Sequence, residues 1–382
     1  MHLELTPEQE ALVRTLRAFA RKELAPRSAA WDKSGEFPWD VWRRMGELGL
    51  LGLRTPAAYG GQEADYVTFG LAMQEIARGD FGCTYGIQLA GLAGEILGRN
   101  APEELKRRWL PPTARGEAVI ALALTEPGVG SDAAQLACRA ERDGEDGYVL
   151  TGEKSGISLA MAAQAAIVFA RTGPGGAQGV TAFLVPLDLP GVSRSALRDM
   201  GTRVVGRAVL SFDHVRLPRS HRIGDEGRGF HQIMQGFDYN RVGIALACLG
   251  VADVSLEETM AYARERRAFG RPLAGFEGVS FAIAEAATQL EACRWLCYRA
   301  LWLADHGQPY TKESAMTKWW GPRLAVETIH QCLLFHGHYG YTDELPFEQR
   351  LRDVIGLEIG DGTAEVMKLI VARQLMGREV VG

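Results

Sequence analysis

The sequence predicts a mainly α-helical protein with a central β-domain. Apolar residues recur at helical spacing through the first third of the chain and again from Phe230 onward. Between these regions lie short β-branched runs separated by Gly, Pro and Asp clusters, as in an antiparallel sheet or barrel. The predicted domains are residues 1–117, an N-terminal helical domain; 118–229, an antiparallel β-domain; and 230–382, a C-terminal four-helix bundle.

Thr6-Pro7-Glu8-Gln9 reads as an N-cap, a proline at the first helical position and a capping-box Gln. Leu12, Val13, Leu16, Phe19, Ala20 and Leu24 continue the helix, and Pro26 is expected to stop it. Further helices fit Trp39–Gly49, Tyr66–Arg78, Cys83–Leu97 and Pro102–Arg115. Strands fit Val119–Leu124, Tyr148–Thr151, Ala166–Ala170, Val180–Val185 and Ala208–Leu217, with turns such as Gly144-Glu145-Asp146-Gly147 between them. Val242–Arg267, Phe276–His306, Thr311–Phe335 and Thr363–Val380 are long helical patterns joined by short loops, which argues a bundle.

Hydrophobic content of 47% and charged content of 23% are those of an ordinary globular protein. A net charge of −5 leaves no footprint for nucleic acid or an anionic membrane. No uncharged apolar run reaches membrane length, and Met1–Pro7 lacks a signal-peptide pattern, so a cytoplasmic protein is expected. The six cysteines form no CxxC pair and read as buried free thiols. His336 and His338, spaced i,i+2 without nearby Cys or paired carboxylates, read as loop residues, and no metal site is expected.

Two stretches carry chemistry. In Glu358-Ile359-Gly360-Asp361-Gly362-Thr363-Ala364-Glu365, a carboxylate stands between two glycines just before a helix capped by Thr363. Glu365 complements the positive end of that helix. The second, Leu122 through Asp132, leaves the first strand into a glycine-rich turn that exposes backbone N–H groups and the hydroxyls of Thr125 and Ser131. Its Gly128-x-Gly130-x-x-Ala133 spacing mimics a dinucleotide fingerprint. No helix opens directly after it and no acidic residue follows at the required distance, so that reading is rejected.

Taken together, Thr125-Glu126-Pro127-Gly128-Val129-Gly130-Ser131-Asp132 and the Gly-Asp-Gly-Thr stretch resemble the FAD-dependent acyl-CoA dehydrogenases. Gly152-Glu153-Lys154 with Ser158, Asp225–Phe230, Arg266–Pro272, Gly337–Tyr341 and Arg352-Asp353 extend the resemblance in order along the chain. It implies FAD lying between the β-domain and the bundle, with Leu124 and Thr125 at the pyrimidine edge and Ser158 near N5. Leu122, Ser131, Gly156, Ile157 and Glu277 belong to the same implied cofactor set. Arg266 and Phe269 would reach FAD in a neighbouring subunit, Leu334, Gly337 and His338 would form its adenine-side loop, and Thr363 and Glu365 would hold the pyrophosphate at a helix N-terminus. The resemblance also implies an acyl-CoA substrate, an electron-transferring flavoprotein as acceptor and a homo-oligomer, usually a tetramer built as a dimer of dimers.

Asp361 falls where the family's catalytic base sits, although the usual residue there is Glu. The alternative base position, one residue before Arg241, is Asn240. Phe237, Asp238 and Arg241 would line the CoA channel, and Ser131, Gly360 and Gly362 would adjoin the substrate. Gly156 and Gly360 stand where the family usually has large side chains, so a ring or branched acyl group is expected. The pair resembles the alicyclic branch, the cyclohexanecarboxyl-CoA dehydrogenases, with Trp319 or Tyr339 as candidates to refill the space. Competing readings are a flavin oxidase of the nitroalkane type and a non-catalytic flavoprotein of the same fold.

Overall fold

The computed structural model describes residues 4–145 and 147–381; Met1–Leu3 of the expected N-terminal pattern and Asp146 of the expected turn lie outside them. Six helices come first: α1 (Pro7–Phe19), α2 (Ala25–Ser34), α3 (Trp39–Glu47), α4 (Tyr66–Ala77), α5 (Thr84–Asn100) and α6 (Glu103–Ala114). The capping box forms, with the Thr6 hydroxyl accepting from Gln9 N and the Gln9 side chain accepting from Thr6 N. Pro26 does not end the helical path. A wider π-helical turn, Ala20–Leu24, joins α1 to α2 and accommodates Pro26, which has no N–H to give to the preceding turn, at the start of α2.

Strands β1 (Ile120–Ala123), β2 (Arg139–Asp143), β3 (Gly147–Ile157), β4 (Ala165–Arg171), β5 (Val180–Pro186), β6 (Val192–Ala196), β7 (Ala208–Pro218) and β8 (Arg222–Ile223) form one sheet. Its pairings are mostly antiparallel, while β1 runs parallel to β4 from Ile120 opposite Ala165 to Ala123 opposite Val168. Pairing of β3 with β7 slips between Lys154 and Ile157, and this irregularity re-aims Ser155-Gly156 at the end of the strand.

The second helical region holds α7 (Gly229–Glu265), a short hairpin of β9 (Arg267–Ala268) and β10 (Arg271–Pro272), α8 (Glu277–Asp305), α9 (Thr311–Phe335), α10 (Phe347–Ile355) and α11 (Ala364–Met376). Helix α7 begins a full 13 residues before the expected Val242. Helices α7 and α9 meet closely at Gly321, where an added Cβ would stand 2.8 Å from the Ala245 Cβ. This approach brings Asn240 and Arg241 on α7 into the same neighbourhood as Lys318 on α9.

Helix α10 fastens the three regions together. Arg352 pairs with Asp32 on α2 at 2.7 Å and donates to Met200 O in the loop before β7. Its neighbour Asp353 is buried and accepts from Thr202 N. Burial pushes the Asp353 carboxyl up to about 8 from an ordinary 3.8. Between those values the folded protein holds a proton that the unfolded chain has released, so this group lowers stability as pH rises toward 8 and contributes nothing further above it. Asp353→Asn keeps an acceptor for Thr202 and removes the titration. Thermal unfolding followed from pH 5 to 8 is expected to show a smaller loss of Tm in the variant than in the wild type.

Candidate active site

Asp361 lies in the turn between α10 and α11, with φ +56°. That left-handed conformation is tolerated by Asp because its short polar side chain can bond locally. Thr363 then caps α11 by accepting from Val366 N at 3.3 Å. The turn is held from beneath by Lys318, whose buried ammonium donates to Leu357 O at 2.6 Å and Gly362 O at 3.1 Å. Arg241 Nε donates to Asp361 O at 3.1 Å, and its guanidinium also meets Asp238 Oδ1 at 3.2 Å. Two cations thus grip the backbone of the turn, leaving the carboxylate to other partners.

Those partners are amides. Gln88 on α5 donates to Asp361 Oδ2 at 2.8 Å, and Asn240 on α7 donates to the same oxygen at 3.2 Å. Burial pushes the Asp361 carboxyl above its ordinary value, opposed by the charges of Lys318, Arg241 and Arg207 and by the Gln88 hydrogen bond. Lys318 is driven down to about 8 by its own burial, opposed chiefly by Asp361. A half-buried carboxyl poised between desolvation and nearby cations is suited to exchanging a proton. Among the described residues, the backbone N–H groups of Asp361 and Gly362 donate to no protein atom.

A second polar group borders this carboxyl. Arg207, just before β7, donates to Ser158 Oγ at 3.2 Å, Tyr85 Oη at 2.6 Å, Thr202 Oγ1 at 2.8 Å and Asp199 Oδ2 at 2.7 Å. It thereby links α5 to the end of β3. Burial raises the Tyr85 phenol to about 12, so it is a neutral hydrogen-bonding group here.

The loop after β1 is fixed by an internal ion pair. Lys154, fully buried on β3, donates to Glu126 Oε1 at 2.8 Å and to Leu124 O at 2.9 Å. Ala137 N and Cys138 N also donate to Glu126, and Ser155 N donates to Thr125 O at 2.9 Å. Burial pushes Glu126 up, but Lys154 and the two N–H groups outweigh it and hold the carboxyl below its ordinary value. Thr125 and Ser131 stay exposed on this rigid loop, Ser158 is partly exposed, and Leu122, Leu124 and Ile157 are partly or fully buried behind them. A Cβ built at Gly156, where φ is +70°, would meet nothing within 4 Å. Open space beside a donor-bearing loop fits the flavin that the resemblance implies.

The remaining sequence-derived residues divide into two groups. Asp361, Gly360, Gly362, Thr363, Asp238 and Arg241 come together around the turn, with the Arg241 guanidinium 5.5 Å from the Phe237 ring centroid. Arg241 is occupied by Asp238 and Asp361, and Asp238 also accepts from Thr311 at 2.6 Å, so this pair braces the turn. Arg266, Phe269, Glu277, Leu334, Gly337, His338 and Glu365 are exposed. Phe269 is 97% exposed at the tip of the β9–β10 hairpin and itself takes a left-handed φ of +49°. Neither Trp319, stacked under Lys368, nor the exposed Tyr339 comes within 4 Å of a Cβ at Gly156. At Gly360 the nearest atoms to such a Cβ are Gly356 O at 3.5 Å and Leu357 Cδ1 at 3.9 Å.

Gln88, Tyr85, Arg207 and Lys318 escaped the sequence reading. The available signal was a polar side chain inside an apolar helical run, visible at Gln88 within Cys83–Leu97 and at Lys318, one of only seven lysines, within α9. His336 is packed between Tyr262 and Phe347, with ring centroids 4.2 and 4.4 Å away, and Nδ1 lies 2.8 Å from Cys332 O. Among the described residues no cluster of His, Cys, Asp or Glu has metal-binding geometry, and no helix is long and apolar enough to cross a membrane.

Three family models match in order: "Acyl-CoA dehydrogenase, N-terminal domain" over residues 6–117, "middle domain" over 121–215 and "C-terminal domain" over 227–376. The chain is similar to a mitochondrial short-chain specific acyl-CoA dehydrogenase of Bos taurus, with 38% identity over 98% of this chain and 91% of that one. Its structure is similar to that of butyryl-CoA dehydrogenase from Megasphaera elsdenii, with a TM-score of 0.94 and 30% identity, covering 98% of this chain and 100% of the other. It also matches a chain in the solved structure described as "Electron transferring flavoprotein of Acidaminococcus fermentans: Towards a mechanism of flavin-based electron bifurcation". There the TM-score is 0.93 at 32% identity, over 98% of this chain and 100% of that chain.

The Lys154–Glu126 pair supports a direct test of the loop. Lys154→Met leaves a buried carboxylate unpaired and is expected to lower stability by about 3–5 kcal/mol in urea unfolding. The double variant Lys154→Met/Glu126→Gln is expected to recover part of that loss.

Proposed function

The chain belongs to the acyl-CoA dehydrogenase family, and on that premise we propose that it desaturates the Cα–Cβ bond of a ring or branched acyl-CoA, with Asp361 as the base. It is an oxidoreductase with FAD as its cofactor. The observation that carries the reading is the double provision made by one residue. Asp361 offers a half-buried carboxylate whose pKa is raised, and its own backbone N–H has no acceptor within the described chain. A thioester carbonyl accepting from that N–H would present its α-hydrogen beside the carboxylate, so deprotonation and stabilisation of the developing enolate charge occur at one site.

FAD, when bound, supplies the acceptor for the hydride leaving Cβ. The chain's own residues bind and orient. The Thr125–Ser131 loop, locked by Lys154 and Glu126, and Ser158, held by Arg207, form one wall of the cofactor site, with the N-terminus of α11 at another end. Arg266 and Phe269, displayed on the β9–β10 hairpin, reach the cofactor of a second subunit in a homotetramer assembled as a dimer of dimers. The likeness to the chain from the electron transferring flavoprotein structure supports such a flavoprotein as the electron acceptor.

The preference for a wide acyl group is supported by the missing side chains at Gly156 and Gly360 and by the ordinary contact distances around Gly360. Cyclohexanecarboxyl-CoA is the leading candidate of this shape. Anaerobic flavin bleaching with cyclohexanecarboxyl-, isobutyryl-, butyryl- and octanoyl-CoA tests the assignment. The ring substrate is expected to bleach fastest, and Asp361→Asn to slow bleaching by roughly 10²–10⁴-fold. A linear preference would remove the wide-pocket argument. No bleaching by any of the four, with flavin reduction by a nitroalkane, would favour the oxidase reading.

Gly360→Leu offers a separate test of pocket width, because Gly360 lacks a positive φ and has room for a Cβ. The substitution is expected to lower kcat/KM for the ring substrate by roughly 10–200-fold while sparing butyryl-CoA.

A further inference from the structure

The base is shorter by one methylene than the Glu usual at this position, and its terminal carboxylate torsion is intrinsically soft. Something must therefore fix its orientation. The two cations closest to the turn do not, because Lys318 donates to Leu357 O and Gly362 O, and Arg241 donates to Asp361 O and Asp238. Arg207 is committed to Ser158, Tyr85, Thr202 and Asp199. The side-chain donors that reach the carboxylate are two neutral amides from different helices, Gln88 on α5 and Asn240 on α7, and both meet Oδ2.

We infer that Gln88 and Asn240 are positioning residues for the base, clamping Oδ2 so that Oδ1 is left as the atom that takes the α-proton. Oδ1 accepts from no donor among the described residues. Both amides are buried, Gln88 at 4% and Asn240 at 0% exposure, so releasing their N–H groups would leave donors without water to replace the carboxylate. Asn240 Oδ1 has no partner among the described residues. The opposite amide orientation would turn that oxygen toward Asp361, acceptor against acceptor, so the orientation present is the one an ionised Asp361 requires. Neutral donors also suit the task. They steady the carboxylate without the full charge of an ammonium or guanidinium, which would weaken it as a base. Asn240 occupies the family's alternative base position, and here it serves the base instead of replacing it.

The role given to Oδ1 rests on the reading of Asp361 as the base, whereas the clamp on Oδ2 can be measured without turnover. The carboxyl titration of Asp361 in the holoenzyme can be isolated by infrared difference spectra between wild type and Asp361→Asn across pH. Lys318, Arg241, Arg207 and Tyr85 face the same group and remain unchanged in the variants, Gln88→Met and Asn240→Leu. Each removes a donor to the ionised form, so each is expected to raise the midpoint by about one pH unit. The pH midpoint of anaerobic flavin reduction by acyl-CoA is expected to rise in step, with KM little changed. An unmoved infrared midpoint in both variants overturns the clamp, whatever the activity. A raised midpoint with flavin that no acyl-CoA reduces supports the clamp and overturns the proposed reaction. If Asn240→Leu fails to fold, Gln88→Met alone gives the same decision.

Discussion

The placement of Asp361 depends on a buried ammonium. Lys318 reaches the turn between α10 and α11 from beneath and donates to two of its carbonyls, Leu357 O and Gly362 O. Arg241 adds a third bond to the same backbone at Asp361 O. The left-handed residue is thus held by long-range contacts from α7 and α9, and the close approach of those helices at Gly321 makes the contacts possible. Charge follows from the same arrangement. Two buried cations offset a half-buried carboxylate while bonding to the backbone and not to its oxygens, so the carboxyl stays ionisable while remaining available to a proton.

The opposite wall is built on a similar plan with the signs exchanged. There the buried carboxylate is structural: Glu126 gathers Lys154 and two backbone N–H groups, and the resulting lock fixes the loop carrying Thr125 and Ser131. Arg207 joins this β-domain wall to the helical wall through Ser158 and Tyr85. Arg352 and Asp353 do the same farther out, tying α10 to α2 and to the loop before β7. The candidate site therefore sits where all three regions of the chain meet, with each wall cross-braced by its own buried polar groups.

The helical regions were legible in the sequence because their signals are local. The Thr6 capping box, the Thr363 cap and the long stripes of α8 and α9 lie within a few turns of the residues they organise. Strands β2 and β6 were not legible: they are largely exposed, so neither buries a face that would leave an alternating pattern. Pro26 misled because the same residue that stops one helix can open another. Within the site, Asp361 announced itself through its flanking glycines and the cap that follows. Gln88 could not, since it stands 273 residues from the carboxylate it serves, and only the packing of α5 against the bundle reveals the pairing.

In the proposed reaction Asp361 removes a proton from the α-carbon of an acyl thioester. Exchange of that proton with solvent reports this step most directly. Cyclohexanecarboxyl-CoA incubated anaerobically in D2O with excess holoenzyme can be recovered and weighed for deuterium at Cα. The account predicts incorporation with the wild type and a loss of roughly 10²-fold or more in its rate with Asp361→Asn. Equal exchange by the two proteins would contradict it, because another group would then be the base.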